Sequence, residues 1–232
     1  MEIMKSEIKY DPHLLPYKIE GSIVRCEGYP IKEADASTFK PLNSLWSVDD
    51  KHVFSGTQVL RGAHLGSFHV LNELFARHEK QIYYIGGVLR TADIESFTVL
   101  DAGYYLGDYG ATFNGYAKDK NGIWFYSRTI GKPHLLKKAD PASFEVLPYG
   151  YARDAKRVFS KGLLIAKADP ASFRLISQRY TRDHNRIFYG NTAIEDVDCG
   201  SFEIVDPKKN QAKDKHRLYE RHQQVDAYYS GS

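Results

Sequence analysis

Short apolar runs alternate with polar punctuation along the chain. The runs are β-branched or aromatic, as in RVFS (157–160), RIFYG (186–190) and QIYYIGG (81–87), which is strand composition. They also keep a fixed register. Six similar hexapeptides end in Phe: ADASTF (34–39), AHLGSF (63–68), ADIESF (92–97), ADPASF (139–144 and again 168–173) and VDCGSF (197–202). Their phenylalanines are Phe39, Phe68, Phe97, Phe144, Phe173 and Phe202, 29 residues apart except for one interval of 47. An aromatic lies 22 residues before the Phe at Tyr17, Trp46, Phe75, Tyr151 and Tyr180. Val24, Val53, Ile82, Val158 and Ile187 lie 15 before it, and Ile31, Leu60, Leu89, Leu136, Ile165 and Ile194 lie eight before.

This pattern predicts one structural sentence said repeatedly. Gly28, Gly86, Gly162 and Asn191 fall at one place between two apolar runs, where a tight hairpin turn needs positive φ. Asp-x-x-Ser, with Pro after the Asp in two copies, reads as a capped helical turn. Each repeat is then strand, turn, strand, turn, strand and a capped corner. Three short strands cannot bury both faces alone, so neighbours must stack and share the six Phe positions as core. The expected fold is all-β: a tandem array of about seven three-stranded β-meander repeats, an open twisted stack or, as the alternative, a propeller-like ring. The expected domain is single, 1–232, with repeats at about 17–45, 46–74, 75–103, 116–150, 151–179, 180–210 and a partial one at 211–220.

Composition adds limits. Hydrophobic residues make up 42% of the chain and Tyr leads the aromatics with 17 copies, enough for a core and against disorder. Two cysteines, Cys26 and Cys199, form no disulfide framework and fit a reducing compartment. No apolar stretch has the length of a signal h-region or a membrane span. The expectation is a cytoplasmic protein with no membrane partner. Net charge is +3, split unevenly. Residues 1–115 carry 11 Lys/Arg and 15 Asp/Glu, and residues 116–232 carry 21 and 14. The basic surplus is interspersed with acids, which favours solvated strand faces.

Candidate chemistry is sparse. The Asp series Asp49, Asp119, Asp154, Asp183 and Asp214 fits Asx-type turn capping. The stretch at Asp119, Asn121 and Gly122 lacks the further ligands of a calcium loop. The nine histidines show no metal or protease spacing. Thr38, Ser143, Ser172 and Ser201 recur before Phe, so they close corners rather than serve as nucleophiles. No enzyme activity, metal, cofactor or small-molecule substrate is expected. Arg153, Lys156, Arg157, Lys161, Arg182 and Arg186 cluster in equivalent turns. They suit an acidic protein partner at least as well as nucleic acid, which is not expected.

The long interval holds two insertions, about 12 residues at 104–115 and about six within 126–138. The first, in DAGYYLGDYGATFNGYAK (101–118), places tyrosines among glycines, which gives contact area at low entropic cost. Insertions in repeat arrays map to loops, often on a binding face. Candidate partner-binding residues are Asp101, Tyr104, Tyr105, Asp108, Tyr109 and Phe113, with Arg128 from the second insertion. The competing reading is an extra hairpin that packs its own aromatics on the sheet.

The segments YAKDKNGIWFY (116–126), YARDAKRVFS (151–160), YTRDHNRIFYG (180–190) and AKDKHRLYE (212–220), with the joined ADPASF corners, resemble the DKNYY repeat family of bacterial proteins over about 46–219. The resemblance implies a β-rich repeat protein with no catalytic residues to transfer. Some members look like companions of toxin systems, which implies an immunity role: a protein partner, such as a cognate toxin domain, neutralised by occlusion. The alternatives are a structural, stress or envelope-associated repeat protein without one tight partner, and a nucleic-acid-binding module.

Overall fold

The computed structural model describes residues 16–108 and 110–225. It is all-β: seven small antiparallel meander sheets in chain order and one separate two-stranded hairpin, with no sheet closed into a barrel. No helix among the described residues is long and apolar enough to cross a membrane. The sixth sheet shows the scheme: Arg174–Leu175, Tyr180–Arg182, Ile187–Tyr189 and Thr192–Ala193 pair in sequence order. The three strands read from the repeat are all there. A fourth comes from the two residues after the corner Phe, which pair with the next middle strand and so open each sheet from the second to the seventh. The first sheet, Tyr17–Glu20, Ile23–Cys26 and Tyr29–Pro30, has three strands. The seventh repeat does not stop halfway: Gln223–Val225 pairs with Leu218–Glu220 and completes its sheet. Its opening strand, Glu203–Asp206, carries a register shift that absorbs extra residues.

The chain forms two compact bodies. Of the described residues, one holds those up to Tyr104 and Phe113–Leu135; the other holds those within Tyr105–Thr112 and from Leu136 onward. The first contains four sheets, the second three sheets and the hairpin.

Four of the six corner Phe residues pack between rings of two successive sheets, and the other two meet one ring each. Phe39 lies 5.3 Å from Tyr17 and 6.1 Å from Phe54. Phe68 touches Trp46 and Tyr83, Phe173 touches Tyr151 and Phe188, and Phe202 touches Tyr180 and Tyr219. Phe97 meets Phe75, and Phe144 meets Phe159. Phe39, Phe97 and Phe173 are buried, while Phe68, Phe144 and Phe202 are partly exposed at the same corner. The edge-to-face and tilted geometries are those aromatic quadrupoles prefer.

A polar clasp runs beside five of the six rings. In the sixth sheet, Asp183 Oδ1 accepts the N–H groups of Asn185 and Arg186, closing its own turn. Its Oδ2 accepts the N–H of Asp169, in the preceding corner, at 3.0 Å. Ser172 Oγ donates to Asp169 and accepts the N–H of His184, next to Asp183. The same long-range bond joins Asp35 to Asp49, Asp93 to Asp119, Asp140 to Asp154 and Asp198 to Asp214. All five turn carboxylates are buried, and each satisfies backbone donors that burial would otherwise leave unpaired. The Asp-x-x-Ser corners are hydrogen-bonded turns rather than helical turns. The short 3₁₀ helix Leu65–Ser67 occurs in the one corner where His64 stands in place of Asp.

That repeat has lost both clasp acids. His64 replaces the corner Asp and His78 the turn Asp. His78 Nδ1 accepts the N–H of Lys80 at 2.9 Å, which preserves the local turn. The long-range bond is replaced by contact of the two imidazoles, 6.1 Å between centroids. A His64→Asp, His78→Asp double variant is therefore expected to regain the clasp, and denaturant unfolding checks this. The expected coupling between the two substitutions is about 1 kcal/mol in favour of the pair, the size of one hydrogen bond measured by a double-mutant cycle. Additive effects of the two single changes would show that the clasp contributes nothing there.

Candidate functional site

A ladder of side chains on the other side of the repeat locates the first insertion. Asn43 Oδ1 accepts the N–H groups of Leu45 and Trp46, and its Nδ2 donates to the carbonyl of Asn72. Asn72 repeats this with Leu74, Phe75 and the carbonyl of Asp101. Asp101 is the next rung. Its Oδ1 accepts the N–H of Gly103 at 2.8 Å, and its Oδ2 accepts that of Tyr116 at 2.8 Å. Tyr116 is the middle-strand aromatic equivalent to Phe75, so residues 104–115 are spliced in between two positions that are adjacent elsewhere. One carboxylate pins both ends of the splice. Gly115 is required beside it, because a Cβ there would collide with Asp101 Oδ1 and lie 2.9 Å from Gly103 Cα. Burial pushes the Asp101 carboxyl up to about 6, against the pull of the two N–H donors.

The inserted residues separate into two groups. In the first body, Tyr104 packs against Phe113 at 6.3 Å, and the Arg128 guanidinium sits 5.5 Å over the Phe113 ring. Arg128 also pairs with Glu27 at 3.5 Å, and its N–H donates to the Phe113 carbonyl. In the second body, Tyr105–Gly107 and Gly110–Thr112 form the hairpin. Gly110 has φ of 100°, which closes the two-residue turn. Tyr105 meets Tyr149 edge-on at 5.7 Å. Asp108 donates its N–H to Gln178 Oε1 at 3.0 Å while its side chain is exposed. Tyr109 lies outside the described residues.

Of the residues singled out in the sequence, Tyr105 and Asp108 meet on the hairpin, and Tyr104, Phe113 and Arg128 meet at the spliced strand. Asp101 is committed to backbone. The period did not reveal Leu106, which is 58% exposed between them, or the support beneath. Tyr149 and Gln178 occupy the same repeat position 29 residues apart, and both carry the hairpin. Tyr149 has φ of 61°, a left-handed conformation uncommon for a non-glycine residue.

Beside the hairpin, Gln178 also lines a pocket of about 170 Å³ with Tyr151, Ser160, Lys161, Arg179 and Tyr189. The basic turns seen in the sequence are largely engaged in the fold. Arg157 donates to the Lys138 carbonyl, Arg186 to that of Lys167, and Arg153 to Pro170 as well as to Glu145. Among the described residues, no group of three or more His, Cys, Asp or Glu side chains is placed to hold a metal ion. Burial pushes the Cys26 thiol up to about 11, far from the thiolate a nucleophile needs.

The raised carboxyl gives a pH signature. Because the folded midpoint lies above the ordinary value of about 3.9, the folded state holds this proton more tightly than the unfolded chain. Wild-type stability is then expected to fall, relative to Asp101→Asn, as pH rises from about 4 through about 6. Asn is the residue on the two preceding rungs, so the variant should fold. Denaturant unfolding across this range, with an NMR titration of Asp101, checks it. A parallel pH dependence in both proteins would contradict the assignment.

No curated protein and no solved structure matches the chain. A family model described as the DKNYY family matches residues 75–223, and with its repeated corners and Asp-closed turns the chain belongs to that family.

Proposed function

We propose that this protein is a non-enzymatic protein-binding module, in concrete form an immunity protein that neutralises a cognate toxin by occlusion. The observation that carries the reading is the hairpin. The recurring Asp, Ser and Phe residues serve stacking, whereas the described inserted residues Tyr105–Asp108 and Gly110–Thr112 take no part in the Asp clasps or the Phe rows. They form a separate two-stranded element held by Tyr149 and Gln178. An element fixed in advance loses little entropy on binding. It presents Leu106 and Asp108 to solvent on a rigid support. The two free thiols and the basic second half are compatible with a cytoplasmic protein meeting an acidic partner.

Purification of the native complex followed by mass identification tests this. One stoichiometric protein partner is expected, and Leu106→Asp with Asp108→Lys should weaken its binding more than about tenfold, the loss typical of a contact worth over 1.4 kcal/mol. Unchanged affinity in that variant, or recovery of the protein alone, would contradict the reading. The second outcome would favour a structural repeat protein without a tight partner.

A further inference from the structure

The pocket beside the hairpin contains a residue that breaks the repeat rule. The matching position is Leu45, Leu74, Gly115 and Gly150 in four other repeats and Asn210 in the seventh, all buried and uncharged, and Arg179 here. The Arg179 backbone is fixed on both sides. Its N–H donates to Ser177 Oγ at 3.3 Å, and its carbonyl accepts the Tyr151 hydroxyl at 3.2 Å. Its Nη1 donates to the Tyr189 hydroxyl at 3.4 Å. Arg179 and the exposed Lys161 give the lining two cations, and it contains no carboxylate.

The volume of about 170 Å³ is below the roughly 300–1,000 Å³ of small-molecule sites. It has room for one side chain. We propose that this pocket is a socket for a single acidic side chain, Asp or Glu, of a protein partner docked against the hairpin. The inference rests on the binding-module reading and names the chemistry of the partner.

Three observations converge on that ligand. A guanidinium offers a planar fork that matches a carboxylate, and its hydrogen bonds are charge-assisted. The body that holds the socket, residues 105–112 and 136–225, carries 17 Lys and Arg against 13 Asp and Glu. Of those acids, Asp154, Asp183 and Asp214 are buried in clasps, so the surface a partner meets is more basic than the count. Gln178 connects socket and hairpin, since it lines the pocket and accepts the Asp108 N–H. Leu163, 56% exposed, stands at the pocket and supplies apolar contact that keeps water from the charges.

The test needs no partner. Nα-acetyl-glutamate amide is titrated into the protein while the Arg179 side-chain N–H resonances are followed by NMR, with the blocked glutamine and inorganic phosphate as parallel probes. A saturable shift with glutamate, at least about tenfold weaker with glutamine, is expected. Arg179→Leu installs the residue of the equivalent positions. In that variant, the glutamate response of the remaining socket resonances should weaken by the same factor; Arg179→Lys should retain part of it, and Lys161→Gln should weaken it without altering the melting temperature. Equal response to glutamine, or an unchanged response in Arg179→Leu, would overturn the socket. Phosphate binding as tightly as glutamate would assign it to a free anion and overturn the protein source. A failed titration with a stoichiometric partner still recovered sinks the socket alone. A positive titration with no partner recovered sinks the binding-module reading and the protein source with it.

Discussion

A buried carboxylate, bonded to its own turn and to the corner before it in five of the seven repeats, is the constraint on which the architecture depends. Four strands of two to six residues cannot bury a core by themselves. Each sheet becomes stable only by covering its neighbour, and for that the corner between them must be held at fixed geometry. The turn Asp does this with two oxygens. Oδ1 satisfies the turn, and Oδ2 reaches back to the corner, as Asp183 does for Asp169. The corner Ser returns a bond to the turn. With the corner set, the Phe that follows falls between aromatic rings of two sheets. Fully burying such a side chain stabilises by about 1.5–3 kcal/mol, a large share of a marginal total. At the corner that ends in Phe97, bonds from Lys120 and Ser96 hold the Asp93 carboxyl down at about 2.

The same economy concentrates functional freedom. A repeat position that must stack, clasp or turn is not available to evolve a contact. Apart from the His64 and His78 pair, the main departures are the residues spliced in after Gly103, Tyr149 in a left-handed conformation, and Arg179 where the other repeats are uncharged. All but the splice's own root and strand contacts lie in the second body, around the hairpin. A binding surface built from departures leaves the scaffold intact. That is the usual relation of insertions to repeat arrays.

The period made much of this legible. A Phe every 29 residues, with an aromatic and a β-branched residue at fixed offsets, gives the meander, the shared core and the site of the insertion. The opening strand of each sheet was not counted as a separate one, because a segment as short as Arg174–Leu175 does not stand apart from the strand that follows it. The Asp caps were read correctly within their turns. Their reach to the preceding corner was not, because a bond between residues 14 apart, such as Asp169 and Asp183, leaves no local pattern. Asp101 looked like a surface acid among tyrosines. The 29-residue spacing of Asn43, Asn72 and Asp101 was the signal that it belongs to a ladder. Lys161 was visible only as a basic turn. The importance of Arg179 lies in the uncharged residues at the equivalent positions, and no local pattern around Arg179 marks that contrast.

Native-state hydrogen exchange on Asp183→Ala tests the clasp most directly. The account predicts that the N–H of Asp169 loses its protection along with those of Asn185 and Arg186, so that corner and turn open as one unit. Loss of protection confined to Asn185 and Arg186, with Asp169 exchanging as slowly as in the wild type, would contradict it.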